Sequence, residues 1–310
     1  MFLEINAWMA LLLGVICAGA GGELFVRGAV GISIWARVSA SIIGATVVAF
    51  CTSSPELSVA IGSALAGKPE ISLGDAVGSN VVNVALILAL ALCISSIRIP
   101  RSSIRRDYSV ALFVPVLLGV LGLDGVISRL EGGLLLALFT AWFLAVTLAA
   151  RRERSACGAL PGKVNPTLAG LELVTGLGFL VGSGHMIVAG ARGIAATFGI
   201  PDFIIGASVV ALGTSAPEFA TTIISKLRRH DEIALGAILG SNIFNGLLIV
   251  GTAAIICPIR VEQGQVAVAL IAGLAATLLT FPSASGILGR HRGVILLLIY
   301  LIYLAAMIAR

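Results

Sequence analysis

The sequence predicts an all-α integral membrane protein of ten transmembrane helices, arranged as two five-helix repeats of opposite topology. Three observations carry that expectation: an extreme apolar composition, polar interruptions at the spacing of bilayer spans, and one long motif that occurs twice. Of 310 residues, 58% are hydrophobic and 11% charged, with a mean hydropathy of +1.09, whereas a soluble domain carries roughly 25% charged residues. This composition excludes a cytosolic enzyme, a disordered chain and a nucleic-acid-binding protein. The formal charge of +5 therefore reads as topology, because Lys and Arg mark the loops on one side of a membrane. Five cysteines, Cys17, Cys51, Cys93, Cys157 and Cys257, are odd in number and form no CxxC pair, which argues against a disulfide framework or a metal cluster.

A span needs about 20 apolar residues. Polar breaks give spans near 5–33, 39–66, 70–97, 108–126 and 130–151, then 165–197, 202–228, 232–258, 262–280 and 290–308. The first is kept as a helix because Glu4 stands where a signal peptide carries positive charge. Residues 152–164 form a short cytoplasmic linker between a first repeat over 1–151 and a second over 165–310. Loops after odd-numbered helices hold Arg37, Arg98, Arg101, Arg105, Arg106, Arg151, Arg152, Arg154, Lys163, Lys226, Arg228, Arg229, Arg290 and Arg292, whereas the other side holds only Lys68, Arg129, Arg260 and Arg310. That asymmetry places the first set in the cytoplasm and both termini outside.

The duplication is the most informative feature. GATVVAFCTSSPEL from Gly44 aligns with GASVVALGTSAPEF from Gly206, and the same offset superimposes Gly74 on Gly236, Gly78 on Gly240, Ser79 on Ser241, Asn80 on Asn242 and Asn83 on Asn245. About half the positions of 44–83 match their partners in 206–245, which marks an internal repeat. Five spans separate equivalent points, so the copies cross the membrane in opposite directions. Inverted repeats place a binding site near the midplane, where broken helices of both copies meet.

Only a few of the fifteen acidic residues lie well inside spans, and of these Glu56 and Glu218 are the two that the repeat superimposes. An ionised carboxylate in hydrocarbon costs several kcal/mol unless it is paired or binds a cation. Pro55 and Pro217 precede them, and proline inside a helix removes a hydrogen bond, so carbonyls around Ala49–Thr52 and Ala211–Thr214 are expected to lose partners. Such carbonyls are tolerated at membrane depth where they line a cavity or bind an ion. Thr52, Ser53 and Glu56 share a helix face, as do Thr214, Ser215 and Glu218; Ser79 with Asn83 and Ser241 with Asn245 repeat the device. Every one of these groups offers oxygen, which suits Ca²⁺ and Na⁺ and disfavours zinc and copper. Two carboxylates balance one divalent cation, and several Na⁺ ions can share the same charges in its absence. The GxxxG pairs Gly74–Gly78 and Gly236–Gly240 are read as close-packing sites.

These motifs, CTSSPE with GSNVVN and GTSAPE with GSNIFN, resemble the two alpha repeats of the sodium/calcium exchanger family of the cation/calcium antiporter superfamily, in its ten-helix prokaryotic form. The resemblance implies that eight core helices hold the ions while long first and sixth helices slide across them. By motif position it implies Glu56 and Glu218 as central carboxylates shared by Ca²⁺ and Na⁺. Thr52, Ser53, Thr214 and Ser215 would flank them, with Ser79, Asn83, Ser241, Asn245 and the Ala49 and Ala211 carbonyls completing the site. It implies no ATP, no organic cofactor and no obligatory protein partner. Cys51 departs from the family's glycine, and Asn245 stands where many relatives have Asp, which argues against K⁺ cotransport. Asp75, where the family commonly has Asn, is read as sitting in a solvated vestibule near the start of the third helix rather than adding charge to an ion path.

The expected function is Ca²⁺/Na⁺ antiport by alternating access in the plasma membrane of a prokaryote. Ca²⁺/H⁺ antiport through the same glutamates is the alternative within the class, and a passive cation channel the alternative outside it. Ser183 and His185 face different ways on a helix, so no hydrolase dyad is expected. Arg27 lies four residues after Glu23 and is expected to pair with it or to snorkel.

Overall fold

The computed structural model describes residues 2–99, 104–156, 164–197, 215–261, 263–281 and 286–309. In chain order the helices are α1 (Phe2–Ala36), α2 (Ala40–Thr52), α3 (Ser54–Leu65), α4 (Pro69–Ile94), α5 (Ile104–Tyr108 continuing as Ser109–Leu121), α6 (Arg129–Ala156), α7 (Pro166–Thr197), α8 (Ala216–Leu227), α9 (Asp231–Ile256), α10 (Gln263–Leu279) and α11 (Arg290–Ile308). By length and composition, six of the described helices can cross a bilayer, or seven when α2 and α3, bent by 45°, count as one span. Helix α10 is shorter, and of the expected seventh span, 202–228, residues 202–214 lie outside the described residues.

Burial divides the helices into two classes. Nearly all of α9 and most of α4 are enclosed, whereas α1, α6, α7 and α11 turn most of their surface outward and expose large apolar side chains such as Leu12, Leu130, Leu171 and Ile302. Two GxxxG glycines allow the tightest core crossing. A Cβ on Gly236 would sit 2.7 Å from the Ser41 carbonyl, and one on Gly240 would sit 2.7 Å from the Ala49 Cβ, so α9 lies directly against α2. Among the described residues nothing lies within 4 Å of a Cβ at Gly74, and Gly206, the repeat partner of the Gly44 that touches Gly236, falls outside them.

Outside this core, α1 runs along α7 through a glycine seam. Cβ atoms would meet Phe179 at 2.6 Å from Gly21, the Leu173 amide at 2.5 Å from Gly28 and the Leu11 amide at 2.6 Å from Gly190. Without side chains in the way the two backbones approach closely over a long contact. The ion pairs across this layer correct the expectation for Arg27. It pairs with Glu172 at 3.0 Å, while Glu23 takes Arg228 at 2.6 Å, because the close helix approach brings those carboxylates within reach.

Four two-residue strands, which an all-α reading did not anticipate, tie loops together. β1 (Ile97–Arg98) pairs antiparallel with β4 (Ile287–Leu288), and β2 (Val126–Ile127) with β3 (Ile259–Arg260). Segments this short carry no readable periodicity. The β1–β4 pair, the Lys226 Nζ to Ser96 carbonyl bond of 2.8 Å and the Ser39 amide to Glu153 bond of 2.8 Å join arginine-rich loops. A cavity lined by Ala40, Arg98, Ile99, Arg229, His230, Asp231 and Glu232 lies between three of these loops.

Backbone irregularities recur at the repeat offset. Gly67 at φ 72° corresponds to Arg229 at φ 63°, both at the left-handed turn before an interior helix. π-helical turns open at Val82 in α4 and at Phe244 in α9.

Candidate functional site

The site forms where two helices start abruptly. Ser53 and Ser215 precede α3 and α8 with nearly identical backbone angles, φ −86° and ψ 8° against φ −85° and ψ 9°, and each new helix carries its proline and glutamate in the first turn. Proline fits there because the first-turn amides have no intrahelical acceptor, and a carboxylate is favoured at the positive end of the helix dipole. The break is better satisfied than proline chemistry alone predicts. The Ala49 carbonyl accepts from the Ser53 amide at 2.9 Å, and the Cys51 carbonyl, four residues before Pro55, accepts from Ser54 Oγ at 2.7 Å. Those carbonyls are therefore partnered, the Ala49 one twice, since Thr52 Oγ1 also donates to it at 3.4 Å. Thr214 and Ala211, the counterparts of Thr52 and Ala49, lie outside the described residues.

The remaining expected residues converge. Glu56, Glu218, Thr52, Ser53, Ser79, Asn83, Ser215, Ser241 and Asn245 are all at most 2% exposed, although they come from five helices and the two residues that precede α3 and α8. Glu218 Oε1 accepts from Ser53 Oγ at 3.0 Å and from Ser241 Oγ at 3.3 Å, which joins the α2–α3 break to α8 and α9. Ser215 Oγ lies 3.4 Å from Ser79 Oγ, bringing in α4. Thr52 bonds back to the Val48 carbonyl at 3.1 Å. The two glutamates act on each other electrostatically, and Asp75 adds a further negative charge within range of Glu56. Asp75 is half-buried with one carboxylate oxygen buried.

Two asparagines that the sequence reading treated only as repeat markers organise the centre. Asn80 Nδ2 donates to the Asn242 backbone carbonyl at 3.2 Å, and Asn242 Nδ2 donates to the Asn80 carbonyl at 3.3 Å. A backbone carbonyl can only accept, so both amides have their orientation fixed. Their oxygens must then accept, and they do: Asn83 Nδ2 reaches Asn242 Oδ1 and Asn245 Nδ2 reaches Asn80 Oδ1, each at 3.0 Å. The consequence is that Asn83 and Asn245 present their oxygens away from this clasp. The repeated G-S-N-x-x-N, which superimposes Asn80 on Asn242 and Asn83 on Asn245, was the signal available in sequence.

Among the described residues several buried oxygens have no hydrogen-bond partner: Glu56 Oε1 and Oε2, Glu218 Oε2, Asn83 Oδ1 and Asn245 Oδ1. A buried acceptor left in this state costs about 1–3 kcal/mol. A set of carboxylate and amide oxygens is the donor chemistry of hard cations. Among the described residues no group of three or more His, Cys, Asp or Glu could hold a metal, so two carboxylates with neutral oxygens are what the fold supplies. Packing fixes the α9 side of the cluster, since Phe244, next to Asn245, stands against Phe139 at a ring separation of 4.9 Å and Trp142 at 6.0 Å.

Comparison with known proteins bears on this geometry. A family described as sodium/calcium exchanger protein matches residues 6–148 and 169–309. The chain belongs to the sodium/calcium exchanger family. Similar members include the sodium/calcium exchanger MaX1 of Methanosarcina acetivorans, 31% identical over 97% of this chain and 98% of its own length. The putative antiporter CaxA of Alkalimonas amylolytica is 34% identical over 81% of each chain. Among solved structures, the sodium-calcium exchanger NCX_Mj soaked with Na⁺ and Sr²⁺ superimposes with a TM-score of 0.84 at 30% identity, over 97% of this chain and 98% of that one. As a member of this exchanger family the protein is an integral membrane cation/calcium antiporter, and the fold is the all-helical membrane fold of NCX_Mj. Ser183 is consistent with a transporter reading: it is buried and bonded to the Leu180 carbonyl at 2.7 Å, while His185 points outward.

Proposed function

We propose that this exchanger moves Ca²⁺ against Na⁺ at one site centred on Glu56 and Glu218, by alternating access. The observation that carries the reading is a pair of buried, repeat-related carboxylates that repel each other and hold three unpartnered oxygens between them. Their two negative charges match one Ca²⁺. Hydroxyls of Thr52, Ser53, Ser79, Thr214, Ser215 and Ser241, amide oxygens of Asn83 and Asn245, and carbonyls of Ala49 and Ala211 replace its water. Several Na⁺ ions take up the same charge when Ca²⁺ leaves, so the two loads exclude each other and exchange follows. Ten spans in two inverted repeats, 1–151 and 165–310 about a linker at 152–164, supply the alternation, and the smooth α1–α7 seam supports sliding of that layer over the core. The arginine-rich end faces the cytoplasm of a prokaryotic plasma membrane, with both termini outside. The transported ions and the lipid bilayer are the partners, and no ATP or organic cofactor takes part.

Proteoliposomes loaded with Ca²⁺ test this. Efflux that requires external Na⁺ and ignores a pH gradient is expected. Efflux that follows pH and ignores Na⁺ identifies Ca²⁺/H⁺ exchange instead, and efflux that needs no counter-ion identifies a channel.

A further inference from the structure

One face of α8 continues from the glutamate towards the arginine-rich end. Thr221, Thr222 and Ser225 are each wholly buried, and their hydroxyls have no hydrogen-bond partner among the described residues. Each such group costs about 1–3 kcal/mol. Other helical hydroxyls in this protein avoid that cost by bonding back four residues, as Thr46 does to Ile42 and Thr277 to Gly273, at 2.7 and 2.8 Å. Successive helical residues turn by about 100°, so Glu218, Thr222 and Ser225 lie within roughly 60° of one another on the helix. Lys226 stands at the end of this helix, about 40° round the helix from Thr222 and about 12 Å from Glu218 along the axis at 1.5 Å per residue.

Lys226 is a buried cation. Its side chain is 1% exposed, with Nζ 2.9 Å from Asp231 Oδ1 and 2.8 Å from the carbonyl of Ser96, an exposed residue beyond α4. The inverted half carries nothing comparable. Thr221, Thr222, Lys226, Asp231 and Ser96 correspond to Val59, Ala60, Ala64, Pro69 and Pro258, and Ser63, opposite Ser225, is already paired with Ser72 at 2.7 Å.

We propose that the α8 face through Thr222 and Ser225 is the ion path between the carboxylates and the arginine-rich end, and that Lys226, clasped by Asp231 and the Ser96 carbonyl, is its gate. The inference rests on cation transport at Glu218 but not on which ions are exchanged. A tethered ammonium holds the two oxygens that a passing cation would need and opposes that cation by charge. Opening requires it to leave them, after which the bare hydroxyls solvate the ion.

The test is Ser225→Cys in a chain whose five native cysteines are replaced, reconstituted and treated with a membrane-impermeant cationic methanethiosulfonate from each face. Labelling is expected from one face only, slowed by saturating Ca²⁺ and accelerated about tenfold by Lys226→Met but not by Lys226→Arg. Equal labelling from both faces, or equal rates for the two Lys226 variants, overturns the gate. If the cysteine-free chain does not fold, ⁴⁵Ca²⁺ efflux without Na⁺ from vesicles of Lys226→Met and Lys226→Arg in the native chain decides. A several-fold leak in the first alone supports the gate, and identical rates refute it. Exchange surviving in Glu56→Gln and Glu218→Gln would remove the two-glutamate site while leaving one-sided labelling intact, so the two readings fail separately.

Discussion

The asparagine clasp makes a quantitative prediction. If Asn83 serves as a ligand because Asn242 holds its amide in one orientation, the two residues must be energetically coupled in Ca²⁺ binding. Asn242→Ala removes the 3.0 Å bond to Asn83 Nδ2 and the 3.3 Å bond to the Asn80 carbonyl. The first has a net worth of about 1 kcal/mol, and the donor it strands can add about 1–3 kcal/mol. Once Asn83 has become Ala, the same change at position 242 no longer disturbs that ligand. A double-mutant cycle on apparent Ca²⁺ affinity, read from ⁴⁵Ca²⁺ uptake, is therefore expected to show coupling of about 1 kcal/mol or more, roughly fivefold in affinity. The mirror cycle of Asn245 with Asn80 is expected to match it, since that bond is also 3.0 Å. Additivity within about 0.3–0.5 kcal/mol in both cycles would refute the orientation argument.

Other substitutions probe separate parts of the account. Glu56→Gln and Glu218→Gln are each expected to abolish Ca²⁺ exchange while the purified protein keeps its thermal midpoint; normal exchange in either removes that carboxylate from the site. Asn245→Asp puts an acceptor where Asn80 Oδ1 needs a donor and adds charge, so the balance of Na⁺ and Ca²⁺ affinities is expected to shift more than stability. An unchanged ion profile would make Asn245 marginal. Gly240→Ala forces a Cβ to 2.7 Å from that of Ala49, whereas Gly62→Ala meets nothing within 4 Å. The first is expected to cost about 1–3 kcal/mol and lower the thermal midpoint by several degrees, and the second to leave it unchanged. Equal midpoints would contradict the α2–α9 crossing.

Much of the fold was legible because the bilayer imposes it. Uninterrupted apolar runs fix helices, and the helix ends fall within a few residues of the polar breaks, as in Pro69–Ile94 and Asp231–Ile256. The candidate site was legible for a different reason. A duplicated Pro-Glu pair is costly in hydrocarbon, so its presence in both halves marks a chemical requirement. What one dimension could not show was pairing between elements. Arg27 finds Glu172 rather than Glu23 because glycines at 21 and 28 let another helix come closer than the next turn of its own. The roles of Asn80 and Asn242 depend on amide orientation, which arises only from the crossing of α4 and α9. Lys226 looked like a loop charge that sets topology, and only its burial against Asp231 and Ser96 distinguishes it from the solvated arginines around it.

Crystals of the purified protein soaked with Sr²⁺ offer the most direct measurement, since its anomalous scattering locates the ion. The account predicts a peak within bonding distance of both Glu56 and Glu218, displaced at high Na⁺ and missing from Glu218→Gln. A peak bound elsewhere, or one at this position that Na⁺ does not displace, would contradict it.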